Sequence, residues 1–199
     1  MIILNIGALV LMGGKNSRMN GNVKGLLKIE NITFLEKIKG TLNDFSSIYL
    51  SINNKFSEDQ KSDFRKMGFK LIEDIYKDIG PLGGIYSSLL NCEEEYLFIT
   101  ACDMPFITKE NIKILSDKID KDVEIIVFCD EKDRLYPLIA IYSKKVLPII
   151  EKMIEKKYYK LIYLIEKSNF AKINIEKTDI GLDTLSNINT PQEYDLLVL

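Results

Sequence analysis

The 199-residue chain contains no histidine. That absence excludes histidine general bases and makes a zinc centre effectively unavailable, because the three cysteines, Cys92, Cys102 and Cys129, are widely spaced and form no paired metal motif. Any chemistry must therefore come from carboxylates, lysine, arginine, hydroxyls, backbone amides or a hard cation. Long apolar runs are missing too. No stretch of 18 or more apolar residues exists, so no segment reads as a membrane span. Net charge is scarce: a formal value of -2 gives no general electrostatic reason to bind nucleic acid or an anionic membrane. Repeats, low-complexity tracts and disordered linkers are also lacking. The apolar start, Met1 to Met12, has no basic region and no small-residue cleavage site, and it runs directly into a glycine-rich loop. A buried first strand explains it better than a signal peptide.

What is present is an alternation of short apolar runs and amphipathic stretches. Ile2–Met12, Ile48–Ile52, Phe69–Ile72, Tyr96–Ala101, Val123–Phe128, Pro137–Tyr142 and Ala171–Ile175 read as strands. Thr33–Phe45, Glu58–Met67, Leu82–Asn91, Lys109–Lys118, Lys144–Lys156 and Tyr159–Lys167 read as helices. A terminal helix opens at Thr190-Pro191, where Glu193 completes a capping box and proline takes the first helical position. The first and fourth strands are apolar on both faces, as in a parallel sheet covered by helices. The pattern predicts one domain over residues 1–199, a three-layer α/β/α fold with a mostly parallel, Rossmann-like sheet. Ligands of such sheets bind at the carboxyl ends of the strands, so the loops after Met12, Ile52, Ile72 and Ala101 are the places to look.

Three of those loops have suitable chemistry. After the first strand comes Gly13-Gly14-Lys15-Asn16-Ser17-Arg18-Met19-Asn20-Gly21-Asn22-Val23-Lys24-Gly25. Adjacent glycines allow close backbone approach, successive amides form an anion nest, and Ser17, Arg18 and Lys24 add donors for phosphate. The spacing is neither a Walker A loop nor a dinucleotide fingerprint, and taken alone it reads equally as a solvated basic loop. The fourth strand ends in Cys102-Asp103-Met104-Pro105. Asp103 there is either a Mg²⁺ ligand or a cap for the turn before Pro105. Asp74 ends the third strand. Gly80-Pro81-Leu82-Gly83-Gly84 opens a helix with almost no side chains in its first turn, suited either to a ligand or to tight helix–sheet packing.

In order and spacing, these pieces resemble the molybdenum cofactor guanylyltransferases, a MobA-like nucleotidyltransferase family. The resemblance rests on Leu11-Met12-Gly13-Gly14 with Ser17-Arg18-Met19 and Lys24-Gly25, then Ile72-Glu73-Asp74, Gly80 to Gly84, Cys102 to Pro105, and Asn187-Ile188-Asn189-Thr190-Pro191. It implies transfer of GMP from GTP to the phosphate of molybdenum–molybdopterin, with release of pyrophosphate. By motif position, Gly13, Gly14 and Lys24 contact the nucleotide phosphates, with Ser17 and Gly83 also on the nucleotide side. Backbone at Leu11, Met12 and Gly13, with Ser51 or Asn53 and Asp74, lies near base and ribose. Asp103 binds Mg²⁺, and Lys24, Asp103 and Arg18 carry the catalysis. Asn187, Asn189 and Arg134 lie toward the acceptor. The implied partners are GTP and molybdenum–molybdopterin as substrates, with transient contact to molybdoenzyme apoproteins. A monomeric, cytoplasmic protein that binds neither nucleic acid nor membrane is expected.

The chain departs from the family pattern in places. Met12 replaces the alanine usual before the glycine pair, Asn20 replaces a glycine, and Val23 replaces an aspartate common before the lysine. Lys157-Tyr158-Tyr159-Lys160 stands at the family's late Gly-x-Arg segment, so Lys160 would do an arginine's work. Rival readings are a cytidylyltransferase or sugar-phosphate nucleotidyltransferase of the same fold, or a nucleotide-binding regulatory module without catalysis. Gly13-Gly14 and Asp103-Met104-Pro105 favour guanine, and retention of Lys24 and Asp103 favours turnover.

Overall fold

The computed structural model describes residues 6–12, 18–19 and 22–198, those at 18, 19, 22 and 198 by backbone alone. Strand β1 spans Ile6–Leu11, followed by two-residue strands β2 (Arg18–Met19), β3 (Asn22–Val23), β4 (Lys28–Ile29) and β5 (Ile32–Thr33). Then come α1 (Phe34–Thr41), β6 (Ile48–Ile52), α2 (Glu58–Lys66), β7 (Lys70–Glu73), α3 (Pro81–Asn91), β8 (Tyr96–Ala101) and α4 (Lys109–Ser116). The rest is β9 (Ile125–Cys129), β10 (Leu135–Ser143), α5 (Leu147–Glu155), α6 (Leu161–Lys167), β11 (Phe170–Asn174) and α7 (Pro191–Val198). No helix among the described residues is long and apolar enough to cross a membrane.

Seven strands form one sheet in the order β11-β9-β10-β8-β1-β6-β7. All its pairings are parallel except those of β10, which runs antiparallel to both β8 and β9. β1 lies inside the sheet between β8 and β6, and its residues 7–11 are buried, as the unbroken apolar run demands. Alternate side chains enter opposite layers. Ala8, Val10, Leu50 and Phe98 pack with Leu35 and Ile38 of α1, Phe64 of α2 and Leu115 of α4. Leu9, Leu11, Leu97 and Ile99 pack with Leu82 and Ile85 of α3, Ile150 of α5 and Leu164 of α6. The sheet is thus covered on both faces, the expected three-layer α/β/α arrangement.

Several boundaries differ from expectation for local reasons. The stretch 144–156 divides into a 3-10 turn, Lys144–Val146, and α5, because Pro148 belongs in the first turn of a helix and not in its interior. Register between β10 and β9 shifts between Leu135 and Ala140, around Pro137, which has no N–H for the ladder. The first-strand residues 2–5 lie outside the described residues. The short ribbons β2/β3 and β4/β5 were not expected from the sequence pattern, since two residues carry no periodicity.

Candidate active site

The carboxyl ends of β1, β6, β7 and β8 meet on one side of the sheet. Ladder bonds continue past the strands there: Cys102 N–H donates to Leu11 O at 3.0 Å, Met12 N–H to Ser51 O at 3.0 Å, and Asp74 N–H to Ile52 O at 3.0 Å. These bonds register the four loops against one another. They enclose a cleft of about 550 Å³ whose wall includes Leu11, Met12, Lys24, Asn53, Asp74, Asp103, Asn187 and Asn189. That volume is within the range of a small-molecule site. Three lysines (Lys24, Lys55, Lys77) face three aspartates (Asp74, Asp78, Asp103) around it, so the described wall is formally neutral.

At its floor, the Lys24 ammonium donates to Asp103 Oδ2 at 2.9 Å and to Asn189 Oδ1 at 2.9 Å. Lys24 is only 6% exposed. An ammonium with so little water needs such partners, since desolvating an unpaired charge is costly. Lys24 stands in a 3-10 turn, Lys24–Leu26, and the turn presses close because residue 25 lacks a side chain. A Cβ on Gly25 would lie 3.3 Å from Cys102 Cβ and 3.3 Å from Met12 Cε. Met12, the departure from alanine, buries its side chain in the core beneath that glycine. Val23 likewise packs against the core. Burial pushes the Cys102 thiol up to about 12, with the neighbouring Asp103 charge adding to it. A thiolate is therefore no part of the site's chemistry.

The opposite wall is built around Asp74. Ser51 Oγ donates to Asp74 Oδ1 at 2.6 Å. Burial raises the carboxyl above its ordinary value, and the Ser51 bond opposes that rise. Ser51 is itself buried and holds Asp74 without lining the cleft. Gly83 does not reach the cleft either. It lies in the first turn of α3, where a Cβ would meet the Tyr76 carbonyl oxygen at 2.8 Å, while one on Gly84 would collide with Ser51 Oγ. The glycine pair thus serves helix–sheet packing, whereas Gly80 and Pro81 before it line the cleft. Gly80 adopts φ +68°, a conformation that favours glycine.

Of the residues singled out from sequence, Leu11, Met12, Lys24, Asn53, Asp74, Asp103, Asn187 and Asn189 come together. Gly13, Gly14 and Ser17 lie outside the described residues, and Arg18 is described only as backbone paired with Val23. Arg134 is not brought to the cleft. It is exposed on the β9–β10 hairpin, stacked 5.6 Å over the Tyr136 ring. Lys160 is exposed before α6 and also does not line the cleft. Asn54, Lys55, Tyr76, Lys77 and Leu138 line it without having been anticipated. Lys55 and Lys77 stand three and four residues beyond the ends of β6 and β7, in the loops expected to hold a ligand.

Residues 8–168 match the family described as MobA-like NTP transferase domain. The chain is 37% identical over 196 residues to the "Probable molybdenum cofactor guanylyltransferase" of Clostridium perfringens (strain 13 / Type A), covering 96% of this chain and 95% of that one. A protein with the same description from Flavobacterium johnsoniae is 36% identical over 187 residues, covering 94% and 93%. Among solved structures, molybdopterin-guanine dinucleotide biosynthesis protein A from Archaeoglobus fulgidus superposes with a TM-score of 0.77 at 23% identity, covering 96% of each chain. The 4-diphosphocytidyl-2C-methyl-D-erythritol synthase of Anaerococcus prevotii shares the fold at a TM-score of 0.71 and 12% identity, covering 98% of this chain and 94% of that one. On these matches the chain belongs to the MobA-like NTP transferase family.

Proposed function

We propose that the chain transfers GMP from GTP to the phosphate of molybdenum–molybdopterin, forming molybdopterin guanine dinucleotide and releasing pyrophosphate. The observation that carries this reading is the buried Lys24 ammonium held between Asp103 and Asn189 in the cleft, together with relatives at 36–37% identity that bear the guanylyltransferase name. Base and ribose lie along Leu11, Met12, Asn53 and Asp74, and the phosphates run toward Lys24; motif position alone assigns Gly13, Gly14, Ser17 and Arg18 to the phosphates. Asn187 and Asn189 face the acceptor.

In the reaction an acceptor phosphate oxygen attacks the α-phosphorus of GTP, and the bond from that phosphorus to the β-phosphate bridging oxygen breaks. The acceptor is already ionised, so no proton has to be removed and a chain without histidine loses nothing. Catalysis is alignment plus neutralisation of charge. Lys24 turns from Asp103 to the phosphate oxygens; a catalytic part for Arg18 rests on its motif position alone. The formally neutral wall does not by itself balance a triphosphate. Asp103 is an oxygen-only donor in the cleft, and a hard cation held by one carboxylate and substrate phosphates suits it. Asp103 would hold Mg²⁺, which supplies Lewis-acid stabilisation of the phosphate oxygens when bound.

The test is pyrophosphate release by purified protein with Mg²⁺, molybdenum–molybdopterin and each of the four NTPs in turn. Release with GTP is expected, reduced at least about 10²-fold in Asp103→Ala and in Lys24→Ala. Release with CTP instead would keep the mechanism and move the chain to the cytidylyl relatives. Silence with every nucleotide overturns the reading.

A further inference from the structure

The segment from Ile188 to Tyr194 is tied to the site at three places. Ile188 N–H donates to the Asp103 carbonyl at 2.8 Å. Asn189 Oδ1 accepts from Lys24 Nζ at 2.9 Å. Tyr194 Oη donates to Lys28 O at 2.7 Å and accepts from Lys28 N–H at 3.3 Å, four residues beyond Lys24. Glu193 sits within this segment. Its Oε2 accepts from Thr190 N–H at 3.1 Å, and its own N–H donates to Thr190 Oγ1 at 3.2 Å, the two halves of a capping box. The same oxygen also accepts from Asn189 N–H at 2.6 Å. That shorter bond is no part of a capping box. It reaches one residue further back, to the residue whose side chain grips Lys24. These backbone bonds hold the Glu193 carboxyl below its ordinary value, so the acceptor is an anion.

We infer that Glu193 is a positioning residue for the transfer reaction, fixing the Asn189 backbone and through it the amide oxygen that holds the Lys24 ammonium. The consequence for catalysis rests on the proposed function. The positioning itself concerns only bonds within this chain. A plain helix cap is the competing account, and Thr190→Ala separates the two. That variant removes the hydroxyl half of the box, loosening the start of α7 as loss of a cap does, while leaving the Asn189–Glu193 bond in place.

Two measurements decide it on Glu193→Ala, Glu193→Gln, Thr190→Ala and wild type. The first is trace acetylation of the intact protein by an amine-specific reagent, with the Lys24 labelling rate read by mass spectrometry. Lys24 is expected to label severalfold faster in Glu193→Ala and at the wild-type rate in Thr190→Ala. The second is steady-state pyrophosphate release. Glu193→Ala is expected to lower kcat by about 10-fold, the scale of a lost supporting partner, and to leave the KM for GTP nearly unchanged. Glu193→Gln, which keeps an acceptor oxygen, is expected to recover most of the loss. Adding Glu193→Ala to Asn189→Ala is expected to cost nothing more, since the first acts through the second. Equal Lys24 labelling in wild type and Glu193→Ala, or a Thr190→Ala variant that matches Glu193→Ala in both readouts, overturns the inference. A wild-type protein silent with GTP would sink the transferase reading alone, because the labelling rates still decide the positioning.

Discussion

Asp74 is held at the end of β7 by Ser51, and burial makes its negative charge expensive. Its folded pKa lies above the unfolded value, so its contribution to stability is fully present below the unfolded pKa and is lost as pH rises through the folded one. Asp74→Asn keeps an acceptor for Ser51 and removes the charge. That variant is expected to resist urea better than wild type at pH 7, the advantage shrinking as pH falls through the carboxylate range. An advantage that is flat with pH would refute the assignment. The same change is expected to weaken GTP binding if Asp74 meets the ribose, readable by titration calorimetry. At this scale the sequence was most informative where a residue ends a strand. Lys24, Asp74 and Asp103 were legible because a loop after a parallel strand has one place to go. Arg134 is not brought to the cleft: it precedes Tyr136-Pro137, yet the hairpin carries it away from the sheet edge, where it stacks on Tyr136. Tyr76 and Lys77 went unseen because cleft walls made by irregular backbone leave no motif.

Among the elements, α3 has the least freedom. Its first turn approaches the strands so closely that Gly83 has the Tyr76 carbonyl where a methyl group would go. Backbone cannot yield as a side-chain end can. Gly83→Ala is therefore expected to destabilise the protein by about 1–3 kcal/mol, the usual cost of overpacking, and to displace the Tyr76–Lys77 wall of the cleft. Urea melts and GTP affinity check both parts; unchanged values in both would show that α3 has slack. The strands of this sheet were legible because burial on both faces demands apolar runs, and Thr33, Ser57, Thr108 and Thr190 accept from the first-turn backbone at the starts of α1, α2, α4 and α7. Strand β10 could be found from its residues but its reversed direction could not, because direction is set by the length and course of the β9–β10 hairpin and not by apolar content.

At the level of the whole molecule, the inner strands of the sheet are packed under a buried apolar layer on each face, and each thiol is buried. Burial pushes Cys92 up to about 11 and raises Cys129 as well as Cys102. Thiolate, not thiol, reacts with disulfide reagents. The native protein is expected to show no rapid thiol release with Ellman's reagent at pH 8, and three equivalents once unfolded in guanidinium. One fast equivalent in buffer would mean that a layer opens locally without global unfolding.

The cleft gathers its wall from Leu11 through Asn189, nearly the full span of the chain. β1 pairs in register with β8, Ile6 opposite Tyr96, so the centre of the sheet closes over about ninety residues of intervening chain. Contacts that distant are slow to find, because the entropy of closing the loop comes before any reward. Lys24 meets Asn189 across a separation of 165 positions, one of the longest-range bonds in the molecule. A nascent chain that has emerged only as far as β11 already holds every strand of the large sheet but lacks the group that steadies its central lysine. Competence to bind thus arrives only with the segment around Asn189, and a molecule made only as far as β11 has no finished cleft with which to sequester nucleotide.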